Sequence, residues 1–163
     1  MTNNVVPSQI ISNDPPELTG GAAVILRGVQ RLLRAHNFVS LAEVPLANNR
    51  RADVMALGPG SAIWIVEIKS SIADFRSDQK WHEYREYCDA LLFAVAPDFP
   101  VDILPTETGL ILADAYGGEI MRPPPGHPAP AGPLSAARRK ALIFSFATMS
   151  ARRLHAFTDP GPV

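Results

Sequence analysis

Apolar residues at Ala22, Ile25, Leu26, Val29, Leu32 and Leu33 recur every three or four positions. That spacing predicts a helix over residues 19–36, with Thr19 as its N-cap and Asn37 closing its end. Its other face carries Arg27, Gln30, Arg31 and Arg34. The pattern then changes to a period of two, and residues 38–46, 51–57 and 62–69 read as strands. In the third of these, alternation places Glu67 and Lys69 on one face and Trp64, Val66 and Ile68 on the other. Ala47-Asn48-Asn49-Arg50 and Gly58-Pro59-Gly60 are turn sequences, and connections this short favour an antiparallel meander. Asp78 is a predicted N-cap for a second helix in which Trp81, Tyr84 and Cys88 fall on one face, and residues 90–96 read as another buried strand. Two further strands are predicted at 109–113 and 118–122, joined by a turn containing Gly117-Gly118. A proline-rich loop from Pro123 to Pro133 leads to a last helix over 135–155. Ala141, Leu142, Ile143, Phe144, Phe146 and Met149 make that helix apolar on most sides, which predicts burial against more than one neighbour. No internal repeat is visible.

Composition narrows the classes. A chain of 163 residues with 47% hydrophobic and 19% charged residues supports one domain with its own core. That domain is expected over 19–156, with residues 1–18 as a poorly ordered Asn-, Ser- and Pro-rich arm and 157–163 as a tail. A formal net charge of −1 argues against a histone-like binder, although it permits a locally basic groove. Cys88 is the single cysteine, so an intrachain disulfide and a multi-cysteine zinc site are excluded. It reads as a small buried hydrophobe rather than a nucleophile. No stretch approaches the roughly 20 apolar residues of a membrane span, and the expectation is a cytoplasmic protein with no membrane partner. The four histidines are dispersed without metal-ligand spacing. Arg138, Arg139 and Lys140 have the wrong sign for the first turns of a helix, a hint of an anionic partner or a solvated charge run.

The candidate chemistry lies in Arg51-Ala52-Asp53 and Glu67-Ile68-Lys69, which deliver two carboxylates and a lysine on adjacent extended segments. Such a group can hold a hard cation beside a phosphate. The same spacing is also what a salt-bridged strand end would show. Arg50 and Arg51 fit a phosphate clamp, or Arg51 pairs with Asp53 or an adjacent acid. Trp81, Tyr84 and Tyr87, interleaved with Arg76, Lys80 and Arg85, fit a base-stacking surface, but the helical spacing of Trp81 and Tyr84 favours the core.

An aspartate on a strand meander, then Glu-x-Lys, then a helix and a strand, resembles the PD-(D/E)XK nuclease superfamily. The residues Arg51-Ala52-Asp53, Glu67-Ile68-Lys69-Ser70-Ser71, Asp74-Phe75, Asp78-Gln79-Lys80-Trp81, Tyr84 and Cys88-Asp89 resemble the MmcB-like family of DNA-repair endonucleases in particular. The resemblance implies a restriction-endonuclease-like fold, a three-layer α/β/α sandwich around a mixed sheet with the core order αβββαβ. It implies a metal-dependent deoxyribonuclease, endo- or exonucleolytic, that hydrolyses phosphodiester bonds in DNA repair. Asp53, Glu67 and the carbonyl of Ile68 would bind Mg²⁺, with Mn²⁺ as a substitute, and Lys69 would be the catalytic cation. Superfamily members draw a further acid from the first helix. Residues 19–36 contain none here, so either Glu43 is the candidate in its place or the site has only two carboxylates. Lys80 is the second-rank catalytic candidate, and Arg51, Ser70, Gln79 and Lys80 are the expected DNA contacts. DNA is the implied partner, with other repair proteins and a second copy of the chain as further candidates. The alternative is a non-catalytic module on the same fold that binds DNA or a repair partner, through the last helix for the latter. A third reading is a structural domain whose charged strand ends only pair with one another.

Overall fold

The computed structural model describes residues 20–126 and 132–161. The elements follow the chain as α1 (Gly21–Ala35), β1 (Val39–Pro45), β2 (Arg51–Leu57), β3 (Ile63–Lys69), a short α2 (Ile72–Ser77), a 3-10 stretch (Trp81–Tyr87), β4 (Ala90–Val95), β5 (Gly109–Ala113), β6 (Gly118–Arg122) and α3 (Ala136–Thr158). The six strands form one sheet in sequential order. β1, β2 and β3 make the antiparallel meander, β4 and β5 continue it in parallel, and β6 returns antiparallel to β5. The sheet is mixed and covered on both faces, the three-layer arrangement expected from the element order.

Period-two alternation sorts the strands between two cores. Val66, Ile68, Leu92 and Ala94 face Ile25, Val29, Leu32 and Leu33 of α1. Ile63, Ile65, Leu91, Phe93 and Val95 face Trp81 and Tyr84 of the 3-10 stretch and Leu142 and Phe146 of α3. β4 is buried at every position, as expected of a parallel strand with both faces covered. Trp81 and Tyr84 thus belong to the core. Arg85 stacks on Trp81 with its guanidinium 4.8 Å from the ring centroid.

α1 ends as its sequence implies, with Asn37 in the left-handed region at φ 61°. Its expected cap Thr19 and the N-terminal arm lie outside the described residues. Gly28 marks where α1 crosses the β5–β6 turn. A Cβ there would sit 2.2 Å from the Asp114 carbonyl oxygen and 2.4 Å from that of Gly117. Arg31, one turn later, donates to the carbonyls of Ala115 and Tyr116, both at 3.0 Å, and locks the same contact. Gly28→Ala would gain up to about 1 kcal/mol in helix propensity, yet the clash is with backbone. A net loss of about 2 kcal/mol is expected from the urea midpoint, and an unchanged midpoint would contradict this packing.

Two expectations need correction. Asp78 does not cap a second helix. It is the C-cap of α2, whose N-cap is Ser71, with Ser71 Oγ accepting from the Asp74 N–H at 3.1 Å. The 3-10 stretch that follows has no side-chain cap. Three residues per turn suit Trp81 and Tyr84, which eclipse each other at i and i+3. The last helix is also not buried all round. Leu142 and Phe146 are buried, but Phe144 is 73% exposed and Leu154 63%.

Arginines hold much of α3 in place. Arg139 forms a two-pronged pair with Asp89 at 2.6 and 2.7 Å and donates to the Ser61 carbonyl at 2.7 Å. Arg138 reaches Glu86 at 3.1 Å. Arg153 donates to the carbonyls of Ala42 at 2.7 Å and Glu43 at 3.3 Å on β1. Two of the three cations with the wrong dipole sign are therefore spent on the fold, and among the described residues Lys140 makes no ion pair. Cys88 is buried, and burial pushes its thiol pKa well up. A maleimide should leave it unmodified in the native protein and label it on unfolding, and rapid native labelling would contradict that burial.

Candidate functional site

β2 and β3 stop pairing through their backbones at Val54 and Val66. Beyond that point, side-chain carboxylates take over the ladder. Glu67 Oε1 accepts the Asp53 N–H at 3.2 Å, and Asp53 Oδ2 accepts the Ile68 N–H at 2.8 Å. Each acid is fixed by the opposing strand through one oxygen. The other oxygen, Asp53 Oδ1 or Glu67 Oε2, makes no hydrogen bond among the described residues. The splayed strands open a cleft of roughly 440 Å³, lined by Asp53, Glu67, Ile68 and Lys69 together with Arg50, Asp78 and Lys80.

Burial governs the charges. Glu67 is 2% exposed and Lys69 5%. Desolvation raises the Asp53 carboxyl to about 6, against the opposing pull of the Ile68 N–H and the Lys69 ammonium. Glu67 is pushed well above the usual carboxylate range by its burial and then by the charge of Asp53. Burial disfavours the Lys69 ammonium as well. The hydrogen bond it donates to Asp78, at 2.6 Å, and the surrounding carboxylates outweigh that and keep it protonated. Glu67 Oε2 lies 3.9 Å from the same ammonium. Asp78 also accepts the Lys80 N–H at 3.0 Å, and despite desolvation its carboxyl is held below the usual range by Lys69 first.

The structure thus brings Asp53, Glu67, Ile68, Lys69 and Lys80 into one cleft. Glu43, Arg51, Ser70 and Gln79 do not line it. Glu43 sits on β1 at φ 55°, where the pairing with β2 skips it, and its buried carboxylate is paired with Arg51. Arg51 thus pairs with an adjacent acid, Glu43, and not with Asp53. Arg50 lines the cleft but grips Glu83 at 2.7 and 3.0 Å. The Ser70 N–H and hydroxyl both donate to Asp74, and the Gln79 side chain donates to the Arg76 carbonyl. The residue sequence reasoning missed is Asp78. Read as a helix cap, it holds the lysine instead, and only its place between α2 and the 3-10 stretch, beneath Lys69, shows this.

Among the described residues, no three His, Cys, Asp or Glu side chains converge on a metal position. Two carboxylates and a main-chain oxygen still fit Mg²⁺, which is held by one or two carboxylates and keeps several waters. The crowded, desolvated pair with one spare oxygen on each acid is the arrangement a divalent cation relieves. Asp53, Glu67 and Ile68 are the residues that would hold it.

No helix among the described residues is long and apolar enough to cross a membrane. No curated protein matches the chain. A solved structure, described as the SPO1766 protein of unknown function from Silicibacter pomeroyi, is 49% identical over 88% of this chain and 94% of that one, with a TM-score of 0.81. The family described as DNA repair protein MmcB-like matches residues 13–161, so the match takes in both sides of the cleft and α3. The chain therefore belongs to the MmcB-like family of DNA repair proteins.

Proposed function

We propose that the protein is a metal-dependent deoxyribonuclease of the PD-(D/E)XK type that cuts DNA during repair. The observation that carries this reading is the pair of desolvated carboxylates, Asp53 and Glu67, each with an oxygen to spare beside a buried, protonated Lys69. A bound Mg²⁺ or Mn²⁺ supplies charge to neutralise a phosphate and lowers the pKa of water. Lys69 contributes a fixed positive charge on the same face of β3, positioned to receive a phosphate oxygen or orient a water. Asp78 keeps that ammonium in one place and protonated. Lys80, in the cleft wall and without an ion pair among the described residues, meets the DNA backbone at the entrance. Arg51 and Gln79 each have a partner within the fold, and a DNA contact by either uses the donors that partner leaves over.

The test is cleavage of single-stranded, duplex, flapped and branched DNA with Mg²⁺ or Mn²⁺ by the wild type, Lys69→Ala and Glu67→Ala, each shown to fold. Metal-dependent cutting that falls by at least about 100-fold in both variants is the expected result. No cutting, with DNA binding equal across the three proteins, would make the domain a non-catalytic recognition module instead.

A further inference from the structure

We infer that the outer face of α3 is a docking surface for an acidic amphipathic helix of another protein. Lys140, Phe144, Ala147, Ala151, Leu154 and Thr158 follow one another at intervals of four, three, four, three and four residues, and all six are exposed. That alternation keeps a continuous stripe facing one way and is the spacing by which one helix packs along another. The opposite face, through Leu142, Phe146 and Met149, is what holds α3 to the sheet. The stripe is therefore surplus to folding. It also has relief, since Leu134, Ile143, Phe144 and Ala147 line an apolar groove of about 650 Å³.

Charge selects the occupant. α3 contains no Asp or Glu. Its arginines 138, 139 and 153 are committed to Glu86, Asp89 and the β1 carbonyls. Lys140, at the start of the stripe, and Arg152, beside its far half, form no ion pair among the described residues. They are twelve residues apart, about 18 Å along the axis. A helix with apolar residues on one side and carboxylates flanking them meets both demands. A second copy pairing α3 with α3 through this face would bring Lys140 and Arg152 against one another. Single-stranded DNA would find one aromatic ring on the stripe and two uncommitted cations, too few for a stacking and phosphate track.

The test uses the full chain and a fluorescent peptide of three heptads with Leu at a and d and Glu at e and g, whose like charges oppose its own pairing. A twin carries Lys for Glu. Micromolar binding of the acidic peptide is expected by anisotropy, with the Lys twin at least about tenfold weaker. Phe144→Ser with Leu154→Ser should weaken the acidic peptide about tenfold or more without changing the melting temperature or DNA cleavage. Lys140→Glu with Arg152→Glu should shift preference to the Lys twin. Equal or absent binding of the two peptides would overturn the inference. So would a concentration-dependent dimer that Phe144→Ser dissolves, which would make a second copy the occupant. Loss of single-stranded DNA binding in that variant, with no peptide binding, would make the occupant nucleic acid.

Discussion

Glu67→Gln is expected to melt higher than the wild type in chelator while losing DNA cleavage by at least about 1,000-fold. The amide oxygen can still accept the Asp53 N–H that Glu67 Oε1 now accepts at 3.2 Å, so the link between β2 and β3 survives. What disappears is a carboxyl whose ionisation is penalised by burial and by the charge of Asp53. The gain is of the order of 1–3 kcal/mol, and function-bearing sites commonly carry such a debt of stability. Its pH dependence follows from the direction of the shift. Glu67 binds its proton more tightly folded than unfolded, so the native state holds more protons and stability falls as pH rises above the unfolded value near 4.5. Asp53, raised to about 6, acts in the same sense between about 4 and 6. The advantage of the variant should therefore vanish near pH 4 and grow as pH rises above it. Millimolar Mg²⁺ should narrow it by stabilising only the wild type. Differential scanning fluorimetry with and without chelator measures all of this, and a variant that melts lower at pH 7 would show that the carboxylate pair is not the source of tension assigned to it.

The second large effect is on α3. Arg139→Met removes the two-pronged pair with Asp89 and the bond to the Ser61 carbonyl. Asp89 also accepts the Ile63 N–H at 2.8 Å and is mostly buried, so the change removes two charge-assisted hydrogen bonds from a largely desolvated carboxylate. A loss of about 3 kcal/mol is expected, roughly 6–12 °C in a chain of this size. Adding Asp89→Asn keeps an oxygen for Ile63 and removes the carboxylate charge that faced Arg139, so the double variant should recover part of the loss. Strict additivity in chemical denaturation would contradict the pairing.

β2, β5 and β6 are legible to the residue in the sequence, and so is the αβββαβ order. Short extended runs bounded by Asn-Asn, Gly-Pro-Gly and Gly-Gly leave the register little freedom. The face assignment of Glu67 and Lys69 follows from period two for the same reason. Asp78 was less legible because an aspartate before an aromatic run has the same local signature whether it caps a helix or receives a lysine. The difference lies in the path of residues 70–80 over the end of β3. Glu43 was placed on β1 correctly but not in the cleft, since one left-handed residue redirects its side chain and no sequence rule assigns φ 55° to a glutamate. The apolar content of α3 overstates its burial. A helix apolar on many sides must hide one of them, and Phe144 and Leu154 belong to another.

Arg153 reaches from α3 to the carbonyls of Ala42 and Glu43, on a strand that ends the sheet and itself ends in Pro45. An outermost strand offers its free backbone to any passing extended chain. Here a guanidinium already occupies two of the acceptors, a skipped residue bends the line between them, and a proline has no N–H to give. Sheets of two molecules cannot zip together along β1 without first evicting an arginine, so the chain carries its own protection against fibre-like growth at the edge nearest its acidic cleft.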